Sequence, residues 1–174
     1  MTRRQLLFAS PLLAQYEDSR LGETPWVPTP DDVIATMLRL TRVTAKDVVY
    51  DLGCGDGRIV IAAARDFHAR GVGIDIEPER IREAKEAARA AKVTRRVRFL
   101  RQDLHQARIG EASVVTIYLF TKVIARLKPK LLAELKPGTR IVSYQFNGMG
   151  DWQPDEVASQ HQYPVYLWTV PRRK

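Results

Sequence analysis

The sequence predicts a single doubly wound α/β domain, with a mostly parallel sheet and a final antiparallel strand. Three observations carry that expectation. Short apolar runs of strand length alternate with longer stretches whose apolar residues recur every three or four positions. A glycine-rich turn follows the first such run. The 174 residues amount to about one domain at ~100–200 residues each, and no linker or internal repeat divides them.

The elements follow in order. Residues 22–30 carry three prolines, at Pro25, Pro28 and Pro30, which fix φ and bias their predecessors to extended backbone. Thr29 is the expected N-cap of a helix with Pro30 at its first position, Asp31 and Asp32 in its first turn, and Val33, Met37 and Leu40 on its apolar stripe. Val48–Leu52 reads as a buried strand that stops at Gly53-Cys54-Gly55-Asp56-Gly57, after which Ile59–Phe67 is helical. Gly71–Ile76 is a second strand. Pro78 opens a helix whose Ile81, Ala84, Ala88 and Ala91 share one face. Val97–Leu100 and Val114–Phe120 are strands three and four. A helix with Leu127, Leu131 and Leu135 ends at Lys136-Pro137-Gly138, and Thr139–Phe146 is strand five. Tyr163–Val170 is the last strand, with Glu156–His161 as part of its partner.

Composition narrows the class. With 45% apolar and 28% charged residues the chain is globular, and no stretch approaches the ~20 apolar residues of a membrane span. A single cysteine, Cys54, excludes an internal disulfide framework and a multi-cysteine zinc site. His68, His105 and His161 show no metal-ligand spacing, so no metal is expected. The net charge of +8 favours acidic partners, nucleic acid among them, yet the basic residues are spread along helical faces that water solvates. Residues 1–20 are set apart from the domain at 21–174. Arg3-Arg4 before Leu6-Leu7-Phe8 resembles a twin-arginine export signal within residues 1–15, with a docked or frayed lead as the alternative.

The informative unit is strand, Asp51-Leu52-Gly53-Cys54-Gly55-Asp56-Gly57, helix. Its glycines let backbone approach a ligand closely, and the helix start offers unpaired N–H groups. A dinucleotide fingerprint reads G-x-G-x-x-G, whereas this loop reads G-x-G-x-G behind an aspartate. Asp51 would repel a pyrophosphate and suits an ammonium or sulfonium. Asp75 ends the second strand 22 residues after Gly53, where an acid accepts ribose hydroxyls. Asp103, after strand three, is placed to accept from an adenine amino group. Three acids at three successive strand ends describe a ligand with a cation, a ribose and an adenine.

In these residues the chain resembles the class I S-adenosylmethionine-dependent methyltransferases, which are Rossmann-like. Asp51–Gly57 matches their first motif, Gly73-Ile74-Asp75 the second and Gln102-Asp103 the third. Pro25–Pro30, Tyr50–Ile59, Leu127–Leu131 and Glu134–Arg140 are similar to a narrower family. This is the archaeal broad-specificity protein-lysine methyltransferases with their bacterial and mitochondrial relatives, and the similarity runs from about Pro25 to Trp168. Ser143-Tyr144-Gln145-Phe146 and Thr121-Lys122-Val123 depart from that family's pattern. The resemblance implies S-adenosyl-L-methionine as cofactor. It implies contacts from Asp51, Gly53, Gly55, Gly57, Asp75 and Asp103, from Ile76 and Leu104 beside the acids, and from Thr29 in the lead-in. It further implies a protein substrate presenting lysine. A monomer is expected, and a cytoplasmic location because the cofactor is made in the cytosol, with export through residues 1–15 as the alternative.

Lysine is mostly protonated near neutrality (pKa ~10.4), so an apolar, aromatic slot is the expected means of lowering its pKa and holding it. Tyr118 and Tyr144 are the catalytic candidates. Trp26, Phe120 and Trp152 are further aromatic candidates, and Asp56 and Arg58 are expected to pair within the loop. A small-molecule or RNA methyltransferase, and an inactive cofactor-binding interaction protein, stand as alternatives.

Overall fold

The computed structural model describes residues 26–172, so the export-signal reading of residues 1–15 lies outside the described residues. The elements are α1 (Asp31–Leu40), β1 (Val48–Leu52), α2 (Arg58–Phe67), β2 (Arg70–Asp75), α3 (Pro78–Ala90) and β3 (Val97–Arg101), followed by β4 (Val114–Ile117), α4 (Thr121–Glu134), β5 (Arg140–Tyr144), β6 (Glu156–Ala158) and β7 (Val165–Thr169). They build one sheet in the order β3-β2-β1-β4-β5-β7-β6. Strands β1 to β5 pair in parallel, and β7 runs antiparallel to both β5 and β6.

The central strand explains the layering. All five residues of β1 are buried, as a parallel strand covered on both faces must be. Side chains alternate, so Val49 shares one face with Val114 and Val142, where α1, α2 and α3 pack. Tyr50 and Leu52 point the other way, with Ile117, Ile141 and Trp168, under Ile124, Leu127 and Leu131 of α4. Each fully buried Leu or Ile there contributes roughly 1.5–3 kcal/mol. At the end of the sheet remote from the cleft, the Arg140 guanidinium pairs with Asp47 and donates to the Thr41 carbonyl at 2.5 Å, tying α1 to β5.

Several boundaries differ from the sequence expectation, most by a residue or two. Pro30, not Thr29, is the N-cap of α1: it is extended (φ −60°, ψ 147°), and Ile34 donates to its carbonyl at 2.9 Å. Thr29 is buried one residue earlier, its carbonyl accepting from Arg58. Strand β4 ends at Ile117 and not at Phe120, because α4 begins at Thr121 and the chain must turn across Tyr118–Phe120 to reach it. Strand β5 stops at Tyr144, since Gln145 takes the left-handed conformation (φ 67°) that ends the ladder. Strand β7 is trimmed to Val165–Thr169, and its partner shrinks to Glu156–Ala158.

Candidate active site

Adjacent β1 and β4 send their connections in opposite directions, α2 towards β2 and α4 towards β5, which opens a crevice at their carboxyl ends. A cavity of about 620 Å³ lies there, within the ~300–1,000 Å³ of small-molecule and cofactor sites. The turn after β1 forms one wall. The Gly53 and Cys54 N–H groups both donate to the Ile74 carbonyl at 2.9 Å, and Gly57 N–H donates to the Cys54 carbonyl at 2.8 Å, which winds the loop into α2. Gly57 caps α2 at φ 78°, and a Cβ there would lie 2.5 Å from the Phe99 ring.

Three acids hold this wall. Asp75, at the end of β2, accepts from Gly55 N–H at 2.8 Å and from Glu77 N–H at 3.0 Å, bracing the glycine loop with its two oxygens. Asp51 is buried in β1 and takes a 2.7 Å hydrogen bond from the Thr116 hydroxyl of β4, its register partner. Burial, with a smaller push from the Asp75 and Asp56 charges, raises the Asp51 carboxyl to about 7 against the pull of Thr116. Asp56 forms a two-point pair with Arg58 (3.0 and 2.7 Å), as the sequence suggested. Arg58 also donates to the Thr29 carbonyl at 3.2 Å, tethering the lead-in. The Trp26 indole packs on the Arg80 guanidinium (4.5 Å to the ring centroid), with Arg58 at 5.9 Å. Burial pushes the Cys54 thiol far up, so it is an inert packing group.

The other wall comes from β3 and β4. The Asp103 side chain accepts from His105 N–H at 2.8 Å and starts a turn that presents Leu104 and His105 to the cavity. Tyr118 reaches the cavity because it has left the sheet, and its hydroxyl donates to Gln145 Oε1 at 3.1 Å. The Tyr118 ring lies 5.0 Å from Tyr144 and 6.1 Å from Phe146, and Tyr144 is 6.1 Å from Tyr163. Burial first, then Tyr144 and Tyr163, raise the Tyr118 phenol to about 12.

Of the residues expected from sequence, Thr29, Asp51, Gly53, Asp75, Ile76, Asp103, Leu104 and Tyr118 line the cavity together with Trp26. Gly55 and Gly57 shape its loop from behind, and Tyr144 stands behind Tyr118 rather than on the wall. Phe120 packs edge-on against Phe146. Trp152 belongs to the opposite face, where its carbonyl accepts from the Trp168 indole at 2.9 Å. Sequence reasoning missed Thr116, whose one signal is a hydroxyl inside the run Val114-Val115-Thr116-Ile117. It also missed Arg80, and the pair Lys122 and Arg126, four apart on one face of α4.

A parallel sheet with an antiparallel β7, a glycine turn after β1 and acids at three strand ends define a class I methyltransferase. The cleft fits S-adenosylmethionine: buried Asp51 matches a cation, and Gly53 holds a left-handed φ of 85° where a Cβ would crowd Leu119 at 3.1 Å, which favours bare backbone there. The profile of the ANTKMT methyltransferase domain matches residues 51–156, and the chain belongs to that family. A protein-lysine N-methyltransferase of Saccharolobus islandicus (strain REY15A) is 45% identical over 161 residues, 90% of this chain and 99% of that protein. The adenine nucleotide translocase lysine N-methyltransferase of Mus musculus is 31% identical over 85% of this chain, which spans 64% of the mouse protein. A solved structure described as an RNA methyltransferase from Salinibacter ruber, in complex with S-adenosyl-L-homocysteine, is 48% identical. It superposes with a TM-score of 0.83, covering 85% of this chain and 96% of its own.

Proposed function

We propose that this chain transfers methyl groups from S-adenosylmethionine to lysine ε-amines of proteins. The observation that carries the reading is 45% identity along 99% of an archaeal protein-lysine N-methyltransferase, in a chain whose cleft ends on Tyr118 and the aromatic residues behind it. When bound, S-adenosylmethionine supplies a methyl carbon already activated by its sulfonium, which leaves holding, aligning and drying to the protein.

Asp75 and Ile76 hold the ribose end, Asp103 and Leu104 the adenine. Asp51, Gly53, Gly55 and Gly57 hold the amino-acid end, with Thr29 over it. Tyr118, backed by Tyr144, receives the acceptor. An aromatic, water-poor wall disfavours the ammonium form of lysine and so supplies free amine without a dedicated base. The chain acts as a cytoplasmic monomer, where its methyl donor is made. No helix among the described residues is long and apolar enough to cross a membrane.

The Salinibacter relative's description and the net charge of +8 favour RNA as a second reading. One experiment separates the two. Purified chain is incubated with methyl-labelled S-adenosylmethionine and a native cell extract, and the product is divided between nuclease and protease before a gel. Label that survives nuclease, vanishes with protease and hydrolyses to methyl-lysine is the expected result. Label lost to nuclease makes RNA the acceptor, and no labelled macromolecule removes the lysine reading.

A further inference from the structure

Among the described residues, four other than glycine have a positive φ: Arg42, His68, Lys92 and Gln145. The first three follow the ends of α1, α2 and α3, where a left-handed residue closes many helices. Gln145 follows no helix. Its φ of 67° falls just past β5, where the Phe146 N–H donates to the Tyr144 carbonyl at 2.8 Å and closes a three-residue turn around it. A γ-turn with positive φ is rare and strained. It is held from both sides here. The Gln145 N–H donates to the Pro164 carbonyl at 2.8 Å, and the hydroxyl of fully buried Ser143 donates to the Phe146 carbonyl at 2.8 Å.

Strain that the surroundings maintain marks a place where the direction of a side chain matters. This turn sends Gln145 to the Tyr118 hydroxyl, whose proton goes to Oε1 at 3.1 Å. Tyr118 lines the cavity and Gln145 stands behind it, so Gln145 reaches the site through that phenol. Thr116, two residues before Tyr118, carries the hydroxyl that meets Asp51, and Tyr118 packs on the same face of the sheet. A phenol can meet an amine in two ways. Donating O–H to the nitrogen occupies the lone pair that must take the methyl group, whereas accepting an N–H leaves that pair free. Burial keeps the phenol protonated, and its one proton is already committed to Gln145, which leaves the second way.

We propose that Gln145 is a positioning residue for the methyl acceptor: by taking the Tyr118 proton it makes the phenol oxygen an acceptor for an N–H of the substrate amine and keeps the amine lone pair open. This rests on the lysine reading above, with Tyr118 facing the acceptor. Without Gln145 the phenol is free to donate to the amine nitrogen, so losing the partner harms transfer more than losing the hydroxyl itself.

The test uses the full chain, labelled S-adenosylmethionine and the native cell extract, with methyl-lysine in the protein hydrolysate as product. Gln145→Asn keeps a residue that tolerates the left-handed conformation but ends one methylene short of Tyr118. It is expected to melt no lower than wild type, to bind S-adenosylhomocysteine within twofold, and to form methyl-lysine at least tenfold more slowly. Gln145→Gly, which relieves the turn and has no side chain, shows the same loss. Gln145→Glu accepts at full length and restores the rate to within threefold. Tyr118→Phe is slowed less than Gln145→Asn, and the double variant matches Tyr118→Phe alone. Gln145→Asn and Gln145→Gly within twofold of wild type overturn the proposal and leave the lysine reading standing. So does a double variant slower than either single one, or a Gln145→Glu as slow as Gln145→Asn. Wild type that labels RNA and forms no methyl-lysine removes both.

Discussion

Among the described residues Asp51 has no counter-charge: the Thr116 hydroxyl donates to its carboxyl, and two further carboxylates lie close enough to oppose its ionisation. Its folded pKa of about 7 stands above the ordinary 3.8, so the folded chain binds its proton more tightly than the unfolded chain does. The stabilisation from that proton is complete below the ordinary value and is lost as pH rises through about 7. Thermal melts of the ligand-free protein are therefore expected to fall from about pH 6 to about pH 8, and Asp51→Asn flattens the slope. A bound cation reverses the preference, because it favours the charged carboxylate. S-Adenosylmethionine then binds more tightly as pH rises through 7, releasing a proton that calorimetry in two buffers of different ionisation enthalpy detects. Asp51→Asn lowers cofactor affinity at least about tenfold, or ~1.4 kcal/mol. Unchanged affinity would remove Asp51 from the site.

At the scale of elements, the turn between β1 and α2 has almost no freedom to vary. Gly57 and Gly138 share a left-handed backbone (φ 78° and 87°), yet a Cβ at Gly57 meets Phe99 of β3 at 2.5 Å, while one at Gly138 meets nothing within 4 Å. Gly138→Ala should cost only the left-handed penalty of roughly 1–2 kcal/mol. Gly57→Ala adds overpacking of about 1–3 kcal/mol and displaces the start of α2. Chemical denaturation checks the difference, and equal costs would mean that Phe99 gives way freely. Much of this region is legible in the sequence. Val48–Leu52 is an apolar run of strand length, and its glycines and acids stand where strands end. The ends of β4 and β5 are not legible, because Tyr118, which lines the cleft, and Phe120 and Phe146, which pack on each other, are aromatic and read as continued sheet. Thr116 is hidden for the opposite reason. Its value comes from the cross-strand register with Asp51, which no single run of sequence displays.

Among the described residues, three helices cover one face of the sheet and α4 the other. The alternation of strands and helices predicts that layering, but not how the lead-in folds back over the cleft. Arg58 makes that connection by joining Asp56 in the glycine loop to the Thr29 carbonyl. The aromatic surroundings of Tyr118 are likewise assembled from β4, β5 and the loop before β7, about 45 residues apart in sequence, beyond the reach of local pattern. The three tryptophans divide along these layers. Trp168 is fully buried and joined to Trp152 on the far face, whereas Trp26 is about half exposed (46%), with its indole nitrogen over Gly55 and two guanidinium groups near its ring. The chain thus carries an intrinsic optical probe at the mouth of its cleft and a steady reference behind the sheet. Titration with S-adenosylhomocysteine is expected to shift the emission of wild type and leave Trp26→Phe nearly silent, so occupancy can be followed by fluorescence without a label, an acceptor or turnover.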